Sequence, residues 1–156
     1  MDHKYWMQRA IDMAKTGMNR NAGGPFGAVI VKQDQLIAQG YNEVIANCDP
    51  TAHAEIIAIR RACQELGDFQ LTDCIIYSSC EPCPMCLGAI YWSRPQAVYF
   101  GCDRQDAANI EFDDHFIYEE IGRSHDRKNI PFIQLDLPEA YAVLKAWEDK
   151  EDKIRY

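Results

Sequence analysis

DPTAHAE (residues 49–55) and PCPMC (residues 82–86) are the two stretches that constrain the architecture of this chain most. Each places zinc-binding side chains at the start of a segment that predicts a helix. Cys83 and Cys86 are three residues apart, so their sulfur atoms converge within one helical turn. His53 adds an imidazole nitrogen, which zinc also binds readily. Three protein ligands would leave the fourth tetrahedral position open, as is typical of a catalytic zinc site.

The position of both motifs at predicted helix starts favours a single shared site. Residues two apart, such as His53 and Glu55, do not share a face within the body of a helix. They can serve one metal if it lies beyond the helix N-terminus, where Thr51 or Asp49 is the predicted cap. Pro82 suits the first turn of the second helix. Two helix dipoles would then stabilise negative charge at the metal.

Glu55 is predicted to be the catalytic proton carrier. Zinc lowers the pKa of a bound water to about 7, and a free carboxylate can take that proton and pass it to a substrate. This chemistry suits hydrolytic attack on an amidine-like carbon, with ammonia leaving. The alternative is a structural site, in which Cys80 extends an iron–sulfur pattern or completes a closed zinc site. The His-x-Glu pair favours catalysis, because a structural site does not need the glutamate.

Composition and charge narrow the functional classes. Hydrophobic residues make up 47% and charged residues 26% of the 156 residues, which predicts one globular domain, residues 1–156. No apolar run is long enough to span a membrane, and the polar start is not a signal peptide. The net charge of −8 favours a small neutral substrate over a nucleic acid. Seven cysteines, with two in a metal motif, favour reduced thiols and a cytoplasmic location.

The order of predicted elements indicates an α/β protein. After an N-terminal helix and a β-hairpin, helices and strands alternate, which predicts a three-layer α/β/α sandwich with a central mixed sheet. The later predicted elements include helices at 51–66, 83–92, 112–121 and 138–150, and strands at 74–78, 97–100 and 132–135. Small apolar core positions are expected for Cys48, Cys63, Cys74 and Cys102.

The match to known proteins extends beyond the two motifs. GGPFGAVIV (residues 23–31), DPTAHAE and SCEPCPMCLGAIYW (residues 79–92) resemble the zinc-dependent cytidine deaminase superfamily, which includes tRNA adenosine deaminases. FDDHFIY (residues 112–118) and the terminal Tyr156 resemble, within it, the bacterial guanine deaminases. The resemblance covers essentially the whole chain. It implies a cytidine deaminase-like fold, a Zn2+ cofactor, hydrolysis of guanine to xanthine and ammonia in purine catabolism, and a homodimer.

The same resemblance implies a role for each site residue. It makes His53, Cys83 and Cys86 the zinc ligands, and Glu55 the catalytic proton carrier, with Asp114 as a second catalytic residue. The guanine-binding residues that it implies are Phe26 and Trp92 against the flat base, Asn42 and the Ala54 backbone at its edge, Asp114 at the amino group, and Tyr156 from a partner subunit. Residues 138–156, a helix and tail, are expected to pack on that partner or to exchange with it.

Plainer roles are open for several of these residues. Asn42 could be a turn residue, Phe26 and Trp92 could be core aromatics, and Asp114 could be a solvated residue of a first helical turn. Tyr156, as the last residue, would ordinarily be frayed. Glu111 departs from the family pattern, in which a small residue is expected, and its charge could raise the pKa of Asp114.

Other functions also remain open. A tRNA adenosine deaminase would need the same catalytic core, but the net charge of −8 and the lack of a basic C-terminal helix count against it. A deaminase of another small nucleobase or nucleoside is a second alternative. A non-catalytic zinc scaffold that binds a protein partner is a third, and the presence of Glu55 disfavours it. No nucleic-acid or membrane partner is expected.

Overall fold

A mixed four-stranded sheet forms the centre of the first of two compact units of the chain, Met1–His115. The computed structural model describes residues 1–156. β1 runs antiparallel to both β2 and β3, whereas β3 and β4 are parallel. Across the sheet the strands are ordered β2 (Gln35–Tyr41), β1 (Gly27–Lys32), β3 (Cys74–Cys80) and β4 (Ala97–Cys102).

Helices cover both faces of this sheet. The side chains of β1 alternate, so Val29 packs with Trp6 on one face, whereas Ile30 packs with Ala54 and Ile90 on the other. The predicted α/β/α sandwich with a mixed sheet is therefore confirmed. The helices of this unit are α1 (His3–Asn19), α2 (Val44–Asn47), α3 (Ala54–Leu66), α4 (Pro84–Ser93) and α5 (Arg104–Ala108). Of these, α2 and α5 were not predicted.

The central strand β3 determines where the N-termini of α3 and α4 lie. All seven of its residues, Cys74–Cys80, are buried, as expected for a strand covered on both faces. The strand runs directly into Glu81 and the start of α4. Because α3 packs against the same face of the sheet, the N-termini of α3 and α4 meet at one end of it. Such edges are where α/β folds bind their ligands.

Two details differ from the sequence predictions. The cap of α3 is His53 rather than Thr51 or Asp49, because the Asp49 carboxylate already accepts bonds from the Thr51 backbone and hydroxyl in a preceding turn. Cys48 and Cys102 are exposed rather than buried in the core. Cys48 lies at the left-handed end of the short α2, and Cys102 ends the edge strand β4.

The second unit, Phe116–Tyr156, contains most of α6 (His115–Gly122), a 3₁₀ turn and α7 (Pro138–Asp149). The strand predicted at residues 132–135 is not formed, because a strand needs a neighbour for its backbone hydrogen bonds and the sheet has none at this segment. None of residues 116–156 is buried. No helix of the chain combines the length and apolar character required to cross a bilayer.

Candidate active site

The three predicted zinc ligands lie at the N-termini of α3 and α4. His53 is the cap residue of α3 and Cys83 that of α4, both in extended backbone, and Cys86 follows in the first turn of α4. Neither cap side chain makes a capping hydrogen bond to the backbone of its own helix. Both are therefore available to a group lying beyond the two helix ends, where the positive ends of the dipoles point.

The spacing of the donor atoms fits zinc. His53 Nδ1 lies 3.5 Å from Cys83 Sγ and 3.6 Å from Cys86 Sγ, and the three donor atoms lie within 4.8 Å of one another. Zinc bonds of usual length at a tetrahedral angle separate a nitrogen from a sulfur by about 3.5 Å. Cys80 is directed elsewhere, since its Sγ donates to the Asp103 carbonyl at 3.5 Å. The set therefore holds three ligands, not the closed four-ligand alternative.

The electrostatic environment favours the thiolate form of one of the two ligand cysteines. A hydrogen bond from Cys86 and another with His53 lower the pKa of Cys83 to about 4, although burial opposes the shift. The same contact with Cys83 raises the pKa of Cys86, so this pair shares one proton. The bond with Cys83 also raises the pKa of His53. Cys83 is thus a thiolate at neutral pH, which is the form that ligates zinc.

Glu55 lies in the first turn of α3, next to the ligands but not among them. It is only 6% exposed. Its Oε1 accepts a hydrogen bond from Ser78 at 3.0 Å, and its Oε2 accepts one from Cys86 at 3.5 Å. Burial raises the pKa of Glu55. A buried carboxyl with a raised pKa beside the ligands is suited to take up a proton and release it again, which is what a proton carrier requires.

A pair of glycines supports two of the predicted substrate contacts. A Cβ on Gly23 would lie 1.9 Å from Asn42 Oδ1, and a Cβ on Gly24 would lie 3.0 Å from the Phe26 ring. Asn42 is buried, its backbone N–H donates to the Phe26 carbonyl, and its Oδ1 accepts from the Val44 backbone. The turn role considered for Asn42 is thus present. Sequence reasoning identified the glycines only as a loop and missed this close approach.

Phe112 is a site neighbour that the sequence did not single out. Its ring meets Phe26 edge-to-face, with centroids 4.9 Å apart at 88°. A Cβ on Gly24 would lie 2.8 Å from the Phe112 ring, so only glycine fits beneath the pair. The contact between Phe112 and Phe26 therefore links the segment that contains Asp114 to the predicted base-binding wall. The available signal was its place in the FDD motif, but sequence gives no partner for an aromatic ring.

Asp114 is half-buried and lines a cavity of about 570 Å³. Burial raises the pKa of Asp114 most, followed by the nearby Cys83 thiolate, and Arg104 opposes them. Glu111, three residues earlier, is not among the main causes of this pKa shift. Because the charge of Cys83 affects the pKa of Asp114, Asp114 lies near the zinc-binding end of the unit. The other lining residues are Glu81, Asp103, Arg104, Gln105, Ala108, Asp113 and His115.

The remaining predicted residues are arranged differently. Ala54 is fully buried as the first residue of α3, directly after His53. Trp92 is 65% exposed, so the core role considered for it is wrong. It lies near the far end of α4, roughly 13 Å along the helix axis from Cys83. Tyr156 ends the second unit and is 70% exposed.

The fold and the donor set define a class of protein. Residues 1–102 match the family model of the cytidine and deoxycytidylate deaminase zinc-binding region. The chain belongs to this family of zinc-dependent deaminases, and zinc is its cofactor. The cytidine deaminase-like fold expected from the sequence is confirmed.

Individual relatives narrow the class further. Guanine deaminase of Bacillus subtilis is 52% identical over 156 residues, which covers both chains completely. Its X-ray structure matches with a TM-score of 0.97 over 100% of this chain and 99% of that one. A tRNA-specific adenosine deaminase of Buchnera aphidicola is 40% identical over 108 residues, 69% of this chain and 71% of that protein. A guanine deaminase structure from Nitrosomonas europaea is 31% identical, with a TM-score of 0.67 over 70% of this chain and 64% of that one.

Proposed function

We propose that this chain is a zinc-dependent guanine deaminase, which converts guanine and water into xanthine and ammonia. The observation that carries this proposal is the similarity to Bacillus subtilis guanine deaminase along the entire chain, including the C-terminal unit. The tRNA-specific relative matches only about two thirds of the chain.

The residues of the metal end supply the proton transfers. When bound, zinc makes a water molecule acidic enough to act as a nucleophile near neutral pH. Glu55 would take one proton from the attacking water and pass it to the purine ring nitrogen as C2 is attacked. It would then take the second proton from the hydroxyl now bonded to C2 and pass it to the amino group, which leaves as ammonia. Its Oε2 faces Cys86 and so lies on the ligand side. His53 and the two cysteines stay fixed at their helix ends throughout.

The cavity residues provide the specificity for guanine. The Asp114 carboxylate accepts a hydrogen bond from the amino group at C2, which adenine lacks at the same carbon. Its partial burial strengthens that bond relative to one in water. Phe26, braced by Phe112, presents a flat apolar face to the base. Asn42 and the Ala54 backbone contact the purine edge.

The charges of the cavity disfavour a polymer substrate. Four carboxylates line the cavity against one guanidinium: Glu81, Asp103, Asp113 and Asp114 against that of Arg104. A tRNA would bring its phosphates to this acidic surface, on a chain of net charge −8. Guanine is neutral and meets no such repulsion. The non-catalytic zinc-scaffold alternative is disfavoured because Glu55 is hydrogen-bonded in a position suited to proton transfer.

We further propose a homodimer in which residues 138–156 pack on the partner subunit or exchange with it. Apolar residues recur at helical spacing along α7 and remain exposed, including Tyr141, Leu144 and Trp147. The preceding segment alternates like a strand without pairing, and β4 is an edge strand of the sheet. A partner's segment beside β4 would satisfy both. Tyr156 would then close the partner's pocket, and Trp92 would lie at the interface.

Mixing two inactive subunits tests this arrangement. One carries Glu55→Gln with an intact tail, and the other carries an intact Glu55 but lacks residues 150–156. The two variants are refolded together in equal amounts, so up to about half of the dimers are mixed. If the tail completes the partner's site, each mixed dimer has one working site of two, and about a quarter of the wild-type number of active sites is recovered. A tail that acts within its own subunit gives no recovery. Light scattering establishes the dimer separately.

Reduced cysteines support a cytoplasmic location for this reaction, which is a step of purine breakdown. All seven cysteines are free thiols, as is usual in a reducing compartment. The direct test of function is to incubate the zinc-loaded protein with guanine and, separately, with tRNA. Xanthine from guanine supports the proposal, whereas inosine in tRNA without xanthine from guanine would replace it with the tRNA alternative.

A further inference from the structure

Ser78 has an unusual place in this site, because it is a buried serine in the middle of a core strand. It is 2% exposed and lies on β3 between Tyr77 and Ser79. Its hydroxyl donates to Glu55 Oε1 at 3.0 Å. The next residue, Ser79, faces the opposite side of the strand and accepts from the Gly27 backbone N–H. The two adjacent serines therefore serve different partners.

The Ser78 bond makes the two oxygens of Glu55 inequivalent. Oε1 is held by the hydroxyl, and Oε2 is left facing Cys86, one of the zinc ligands. The terminal torsion of a glutamate is broad and nearly two-fold, so without an anchor the carboxyl can rotate. A carboxyl that carries protons between two groups must keep one oxygen aimed at them.

We propose that Ser78 is a positioning residue, whose hydroxyl fixes the Glu55 carboxyl so that Oε2 faces the zinc-bound end of the pocket. The inference rests on the proposed function, since it assigns Glu55 the proton transfers. A serine hydroxyl donates to Oε1 whether or not Oε2 carries a proton. The orientation therefore persists through both halves of the reaction, and burial excludes water that could replace the bond.

A matched pair of substitutions separates the hydroxyl from packing. Ser78→Thr and Ser78→Val place side chains of nearly equal size in the same site, and only threonine retains the hydroxyl. Ser78→Ala is the smaller deletion. Ser93→Ala is the control, because Ser93 is equally buried but donates only to the Ile90 carbonyl of its own helix.

The expected result is a kcat effect without a binding effect. Relative to Ser78→Thr, Ser78→Val should lower kcat for guanine by about 10- to 100-fold. Ser78→Ala should lower kcat by a similar factor. KM, zinc content and calorimetric binding of the product xanthine should stay within about twofold. The solvent isotope effect on kcat should grow, because proton transfer becomes slower. Ser93→Ala should match the wild type in every measurement.

Other outcomes decide against the inference. Equal kcat for the threonine and valine variants would reduce Ser78 to a packing residue. Loss of zinc or xanthine binding together with kcat would make it a scaffold residue. A wild type that is inactive on guanine refutes the proposed function instead, and the same ratios are then measured on whichever base it deaminates. Infrared difference spectra of the Glu55 carboxyl test the hydrogen bond itself with no substrate present.

Discussion

The metal-binding end of the first unit and the C-terminal unit differ in how fully their side chains are buried and hydrogen-bonded within the chain. Glu55, Ser78 and Cys86 are buried, and every one of them is hydrogen-bonded within the chain. Residues 116–156 contain no buried side chain and expose a series of large apolar groups. The first region fixes the positions of these three side chains with its own hydrogen bonds. The second has the surface of an element that needs a partner.

This contrast predicts different consequences for damage in the two regions. A change at the metal end should affect chemistry while leaving assembly intact. A change in the C-terminal unit should affect assembly and pocket closure while leaving the metal in place. The substitutions below test that division, from the largest expected effect to the smallest.

Glu55→Gln should produce the largest loss. The amide cannot carry the proton, so kcat for guanine should fall by about 1,000-fold or more, with zinc content unchanged. Burial raises the pKa of Glu55 in the folded chain, so the unfolded chain loses this proton first and the folded state loses stability as pH rises above 4.5. The metal-free variant should therefore melt higher than the metal-free wild type at neutral pH. A variant with near-normal kcat would remove Glu55 from the chemistry.

Deletion of residues 150–156 should be the next most severe change. If Tyr156 closes the pocket as proposed, its loss leaves the pocket open to water, and we expect kcat/KM to fall by about 100-fold while zinc remains bound. Asp152→Ala is the control, since it removes only an exposed ion pair in the same tail. Full activity of the shortened chain would show that the tail takes no part in closing the pocket.

Asp114→Asn should act on substrate recognition. Removing the charge weakens one hydrogen bond to the guanine amino group, for which about 10- to 100-fold in kcat/KM is expected. Asp113→Asn is the matched control, because its Oδ1 can still accept the bond from the His115 backbone. Steady-state kinetics on guanine measure both. Equal effects of the two substitutions would assign the loss to the loop rather than to the Asp114 carboxylate.

Glu111→Gly should have the smallest effect, which is a gain in stability without a change in activity. Glu111 adopts a left-handed backbone with φ of 71°, which is unfavourable for a side chain and free for glycine. Urea unfolding should show a gain of roughly 0.5–1 kcal/mol, with kcat unchanged. Asn21→Gly, at φ of 54°, should gain less, because asparagine tolerates this region. A drop in activity for Glu111→Gly would give its charge a role at Asp114.

The sequence was sufficient where local chemistry determines structure. Ligand type and spacing identified His53, Cys83 and Cys86, and capping and helix-start signals located them near two helix ends. The apolar run of β3 indicated a strand buried on both faces. Each of these features depends on residues close together in the chain, or on a pattern that only one element satisfies.

The sequence was insufficient where distant residues meet. The bond between Ser78 and Glu55, and the contact between Phe112 and Phe26, join different elements, and no local pattern pairs them. The strand predicted at residues 132–135 has the right pattern but no neighbour, so propensity alone could not decide it. His53 replaced the predicted caps because the Asp49 side chain was already engaged in a turn.

Ammonia release by the purified, zinc-loaded protein tests the central claim most directly. Guanine, guanosine, cytosine and adenine are supplied in parallel, with Glu55→Gln as the blank. We expect ammonia from guanine and none from adenine or cytosine, and guanosine measures whether the pocket accepts a ribosyl group. Release from cytosine or adenine would keep the zinc chemistry but contradict the guanine pocket, and no release from any of the four would contradict the assignment of a small nucleobase substrate.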